Sequence, residues 1–184
     1  MHFYKRCRVN ISENEENMKT RYFLLAVLIT FTAFGFADKK AKNFKLPDLQ
    51  NQQVELDDLL QKGPVVLDFW ATWCKPCIKA FPEFEQLYKK YKKQGLTVVG
   101  INTDGPRNRA KIKPFVNSFD ISFPILIDLN NDVMRQFRVF ALPTTLLIAK
   151  NGEIISTHAG YSASKLKELD EKLAELLQNA DTHK

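Results

Sequence analysis

The sequence predicts an α/β fold, a mixed central sheet with helices on both faces. Three observations lead there. Val65 to Trp70 and Leu96 to Asn102 are near-continuous apolar runs, as strands buried on both faces require. A long amphipathic segment separates them, which makes a βαβ unit and a parallel pair. Thr144 to Ala149 and Glu153 to His158 are extended runs joined by Lys150-Asn151-Gly152, a hairpin turn signal that adds an antiparallel pair.

The chain begins with features of export rather than of the fold. Met18-Lys19-Thr20-Arg21 opens a stretch that is uncharged from Tyr22 to Ala37 and closes on Gly35-Phe36-Ala37. A basic start, an apolar centre and small residues at a cleavage point are the anatomy of a secretory signal, cut after Ala37. The stretch is shorter than the about 20 apolar residues of a spanning helix; an uncleaved N-terminal anchor is the alternative. Residues 1–17 are foreign to such a signal and read as an upstream, non-native extension, with translation starting at Met18. Cys7 then disappears, and two of the three cysteines remain, in a compartment where disulfides persist.

Residues 38–43 form a lysine-rich linker, and a domain is expected over 44–180. Phe44 to Asp48 and Gln53 to Leu56 alternate around Gln50-Asn51 as an N-terminal edge hairpin. Asp57-Asp58 leads into a brief helical turn, and Gly63-Pro64 punctuates before the first buried strand. Lys75 to about Lys93 is helical, with Ile78, Phe81, Phe84, Leu87, Tyr88 and Tyr91 at helical spacing and Pro82 as an interior disturbance. After Leu96 to Asn102 comes an inserted αβ segment: a helix over Asn108 to Phe119, a strand over Phe123 to Asp128, and a short helix over Asn131 to Phe137. The hairpin follows. Ala163 to Gln178 closes the chain as an amphipathic helix carrying Leu166, Leu169, Leu173, Leu176 and Leu177.

Composition narrows the function. The net charge of +6 is spread along the chain, except at Lys89-Lys90 and Lys92-Lys93. That cluster reads as a solvated helix end; no basic stripe with a reading motif points to nucleic acid.

Trp73-Cys74-Lys75-Pro76-Cys77 sits where a buried strand turns into a helix. A thiol at a helix N-terminus faces unpaired N–H groups and the positive end of the dipole, which stabilise thiolate. Lys75 adds a cation. Cys74 is therefore the expected nucleophile, and Cys77, one turn further in, the resolving thiol. Pro76 restricts the loop between them. A structural disulfide closing so small a loop would remove little chain entropy. Zinc wants four ligands, and no second cysteine pair or nearby histidine pair accompanies this one, so His158 and His183 read as incidental. Asp68 lies inside the apolar run Val65 to Trp70, where desolvation should raise its pKa and suit it to exchange protons with Cys77; the plainer alternative is an aspartate paired at a strand edge. Leu142-Pro143-Thr144 immediately precedes a strand, the place a sheet tolerates proline.

At these residues the chain resembles the thioredoxin superfamily, in particular exported TlpA/ResA-like disulfide reductases. The likeness runs from about Phe44 to Gln178 and rests on Phe44-x-Leu46-Pro47-Asp48, Phe69 to Cys77, the segment around 107–128, and Leu142-Pro143-Thr144-Thr145. It implies a thioredoxin fold and a cis Pro143 packed beside the cysteines. Leu142 and Thr144 would then offer backbone to a substrate strand, with Trp73, Lys75 and Pro76 forming the rest of the contact surface. It implies thiol–disulfide exchange on protein substrates as a monomer, with no cofactor, and recharging by a membrane-borne electron donor. The implied location is the periplasm or the outer face of the cytoplasmic membrane. Two positions depart from the pattern. Ala80 stands where many such reductases have a glutamate, and Asp68 where they often have a neutral residue, which argues against a dedicated role on cytochrome c apoproteins. Competing readings are a disulfide-forming oxidant, a metal-binding thioredoxin-like module and, more weakly, a peroxidase. The last two lack their usual cysteine patterns here.

Overall fold

The computed structural model of the protein describes residues 40–181. The upstream extension (1–17), Cys7, the signal segment (18–37) and His183 lie outside the described residues. The linker expected over 38–43 is already docked at Lys40 and Ala41. Lys40 bridges to Glu153, and the Ala41 amide donates to the Gly152 carbonyl at 2.8 Å.

β1 (Lys45–Pro47) and β2 (Gln53–Glu55) pair antiparallel around Asn51, as expected, but as a separate two-stranded sheet. Its link to the main sheet is an isolated bridge from Asp48 to Leu126. α1 (Leu56–Lys62) is longer than a turn, because Leu56, Leu59 and Leu60 form a buried face. Asn43 accepts from the Asp57 amide at 3.1 Å, capping α1 from outside the helix.

β3 (Val65–Trp70) is the middle of a five-stranded sheet ordered β5-β4-β3-β6-β7. β4 (Thr97–Asn102) and β5 (Ile125–Ile127) run parallel to it, while β6 (Thr144–Ile148) and β7 (Ile154–Ala159) complete it antiparallel. α2 (Lys75–Tyr91) connects β3 to β4. α3 (Arg109–Val116) and α4 (Asp132–Gln136) flank β5, and α5 (Ala163–Asp181) ends the described chain. This is the mixed α/β sheet that the sequence predicts, with the N-terminal hairpin and the inserted αβ segment in place.

Side chains alternate across a strand, and β3 shows the consequence. Val65, Leu67 and Phe69 enter one core layer with Leu56 of α1 and Val133 of α4. Val66 and Trp70 enter the other, with Phe81 and Phe84 of α2 and Leu169, Leu173 and Leu177 of α5. Asp68 shares the Val66–Trp70 face, beneath α2. The buried stripe of α2 runs through Cys77, Ala80, Phe81, Phe84, Leu87 and Tyr91; Ile78 and Tyr88 are only half-buried at its margin. Glu85, a charged residue within that buried set, is satisfied by the Ser122 amide and hydroxyl, both at 2.7 Å.

Candidate active site

Cys74 and Cys77 are disulfide-bonded, with their Cα atoms 5.3 Å apart. Cys74 is the N-cap of α2 in extended backbone, and its Sγ accepts from the Cys77 amide at 3.3 Å. The sulfur thereby takes one of the N–H groups that a helix start leaves unpaired. Pro76 falls in the first turn, where a missing donor costs nothing. Cys74 keeps 4% exposure and Cys77 none. Trp73 beside them is 67% exposed, and Lys75 and Pro76 also face solvent.

The loop before Cys74 is held from both ends. At one end, Trp70 packs edge-on against Phe81, centroids 5.0 Å apart, and stacks with Phe115 at 6.0 Å. At the other, the Asp104 carboxylate accepts from the Thr72 amide at 2.8 Å and the Thr72 hydroxyl at 3.0 Å. The Asn102 side-chain amide also donates to Asp104, at 2.8 Å. Asp104 therefore fixes where the strand releases the chain and where the cysteines begin.

Asp68 is 1% exposed, and burial pushes its pKa up to about 8, against the Thr145 hydroxyl that donates to it at 3.1 Å. It is not an edge aspartate: its β-sheet neighbours are Gly100 on one side and Thr145 on the other. Gly100 is required there, because a Cβ would lie 2.6 Å from Ile125 Cδ1 and 3.1 Å from Trp70 Nε1.

The Leu142–Pro143 bond is cis. Thr144 pairs with Phe69, so Pro143 lies beside the end of β3 from which the cysteine loop leaves. The Pro143 carbonyl accepts from the Gly160 amide at 2.7 Å, and the Thr144 hydroxyl donates to the Ala141 carbonyl at 2.7 Å. Phe140, two residues before Leu142, is almost wholly exposed. A small cavity of about 20 Å³ is lined by Ala80, Pro143, Thr145, His158 and Tyr161 among others.

The chain is similar to known proteins in sequence and in fold. Residues 37–157 match the AhpC/TSA family. Thiol-disulfide oxidoreductase ResA of Halalkalibacterium halodurans is 37% identical over 160 residues, 80% of this chain and 89% of that protein. The chain belongs to the AhpC/TSA family of the thioredoxin superfamily. ResA of Bacillus subtilis is 38% identical over 120 residues, covering 65% of each chain. A crystal structure from Chlorobium tepidum, assigned to the thiol:disulfide interchange protein DsbE, superposes with a TM-score of 0.69 at 32% identity. It covers 76% of this chain and 96% of that one. With a disulfide across the first turn of α2, this AhpC/TSA member is a thiol–disulfide oxidoreductase.

Within this member of the family, the structure brings Cys74, Cys77, Asp68, Pro143, Leu142 and Thr144 to one end of β3 and β6. It also adds residues that sequence reasoning passed over. Asp104 carries no motif, and Thr72, inside the Phe69 to Cys77 motif, has no role in the sequence reading; the two meet across a separation of 32 residues. His158, set aside as incidental, lines the cavity with Thr145. Among the described residues, no three His, Cys, Asp or Glu gather as a metal would require.

Proposed function

We propose that the protein is an exported reductase of protein disulfides, with Cys74 as nucleophile and Cys77 as resolving thiol. The observation that carries this reading is the disulfide across the first turn of α2, its outer sulfur capping the helix and its inner sulfur sealed. Cys74 thiolate attacks a substrate disulfide, one substrate sulfur leaves, and Cys77 then displaces the other to close the Cys74–Cys77 bond. Asp68 takes the Cys77 proton. Trp73, Lys75 and Pro76 on one side, and Leu142, Pro143 and Thr144 on the other, receive an extended substrate segment, with Phe140 at the margin.

The reducing direction is part of this proposal, and what supports it is the likeness to TlpA/ResA-like disulfide reductases at Phe69 to Cys77 and Leu142 to Thr145. Export is proposed from the Met18–Ala37 signal, cleaved or anchored, with the periplasm or the outer face of the cytoplasmic membrane as the location. A membrane-borne dithiol donor recharges it. The proposed working unit is a monomer, as the likeness to TlpA/ResA-like reductases implies.

The deciding measurement is the reduction potential of the Cys74–Cys77 pair, equilibrated with dithiothreitol and followed by tryptophan fluorescence. A value of roughly −230 to −270 mV supports the reductase; about −120 mV makes the protein an oxidant. The Cys77→Ser variant should accumulate mixed disulfides with substrate proteins, visible on non-reducing gels, and Cys74→Ser should form none. Trapping by the Cys74 variant instead would reverse the two roles.

A further inference from the structure

Proposed catalysis leaves a proton on Asp68 at every turnover, at a residue with almost no contact with water. Three observations bear on its exit. The Thr145 hydroxyl donates to Asp68 Oδ1 at 3.1 Å and faces the cavity as part of its lining. His158 is the cross-strand partner of Thr145 on β7 and lines the same cavity. Its Nε2 is buried without a protein hydrogen-bond partner, while the residue as a whole is half-buried. The cavity, about 20 Å³, is large enough for one water with polar neighbours.

We propose that His158 is the proton outlet of the site, exchanging protons with Asp68 through the Thr145 hydroxyl and one water held in the cavity. This rests on the function proposed above. When Cys77 closes the disulfide, its S–H proton passes to the Asp68 carboxylate. Asp68 then gives a proton to the Thr145 oxygen while the Thr145 hydroxyl passes its own to the water. The water hands one to neutral His158 Nε2, and the imidazolium releases a proton to solvent. Net, one proton leaves Asp68 and one reaches solvent; in the reverse half-cycle the same chain runs inward. Ala80 leaves the space this water needs, since a longer side chain there would fill the cavity. The other charged or titratable groups around His158 are Lys165 and Glu168 on α5, and Tyr161, whose hydroxyl bonds Glu83 of α2. Lys165 donates to the Ala159 carbonyl, and His158 is the residue paired with Thr145 across the sheet.

The test is the single-turnover rate of disulfide closure, read by tryptophan fluorescence from pH 6 to 9 in a buffer without imidazole. His158→Phe and His158→Gln should each slow closure on the order of ten-fold at pH 7 and change the shape of the pH profile. Added imidazole should restore the rate of His158→Phe. In the Asp68→Asn background, His158→Phe should have no further effect. An unchanged pH profile overturns the proposal, as does equal slowing in both backgrounds, which would mark His158 as merely structural. Failure of the function itself would look different: the wild type would then show no dependence on Cys74.

Discussion

At the scale of single residues, the chemistry was legible wherever it is local. Cys74 and Cys77 announce themselves by spacing and by their place after an apolar run, and Asp68 by being the one charge inside that run. Asp104 gives no such signal. It is an ordinary aspartate after an ordinary strand, and its importance comes from Thr72, which the fold delivers from far away in sequence. Its removal should be costly, because the Asp104→Ala variant leaves the Thr72 amide, the Thr72 hydroxyl and the Asn102 side-chain amide without their acceptor. We expect a loss of roughly 2–4 kcal/mol in urea unfolding and slower disulfide exchange, since the cysteine loop loses its anchor. An Asp104→Ala protein of native stability would show that water replaces the carboxylate.

Among the elements, β3 was read to the residue because its apolar run is bounded by Gly63-Pro64 and by the cysteine loop. α2 kept its predicted start; its buried stripe gains Cys77, Ala80 and Glu85, small or polar residues serving as core, and leaves Ile78 and Tyr88 half-buried at its margin. Burial alone would push the Glu85 carboxyl up. The Ser122 amide and hydroxyl, with Lys89, hold it below its ordinary value, and none of these partners is visible from the helix sequence. The predicted helix from Asn108 to Phe119 is shorter, because Pro106 to Asn108 forms a tighter 3₁₀ turn and Phe119 belongs to a turn closed on the Val116 carbonyl. In β4, Gly100 should be intolerant of even one methyl group. Gly100→Ala must displace Ile125 or Trp70, so a loss of about 1–3 kcal/mol is expected, with altered Trp70 fluorescence. Unchanged stability and spectrum would show that Ile125 can turn aside freely.

For the molecule as a whole, the mixed sheet with helices on both faces followed from pattern, whereas the strand order and the docking of residues 40 and 41 on the β6–β7 turn did not. A linker has no periodicity from which a partner could be inferred. The buried acid also acts at this scale. Asp68 has an ordinary value near 3.9 when unfolded and about 8 when folded, so between these values the folded chain binds the extra proton. The Asp68 contribution to stability is therefore fully present below the lower value and is lost as pH rises through the window, by on the order of a few kcal/mol. Urea midpoints of the oxidised protein at pH 5 and pH 8.5 should show this decline, and Asp68→Asn should flatten it. An equally steep decline in Asp68→Asn would assign it to other groups.

The unequal burial of the two sulfurs has one more consequence. A disulfide has two ends, and an incoming thiolate that can reach only one of them has no choice of regiochemistry. On the function proposed above, covalent complexes are tethered through Cys74, since Cys77 has no exposure and Cys74 keeps 4%. Each partner would then be held in one orientation by access alone, whatever the difference in acidity between the thiols.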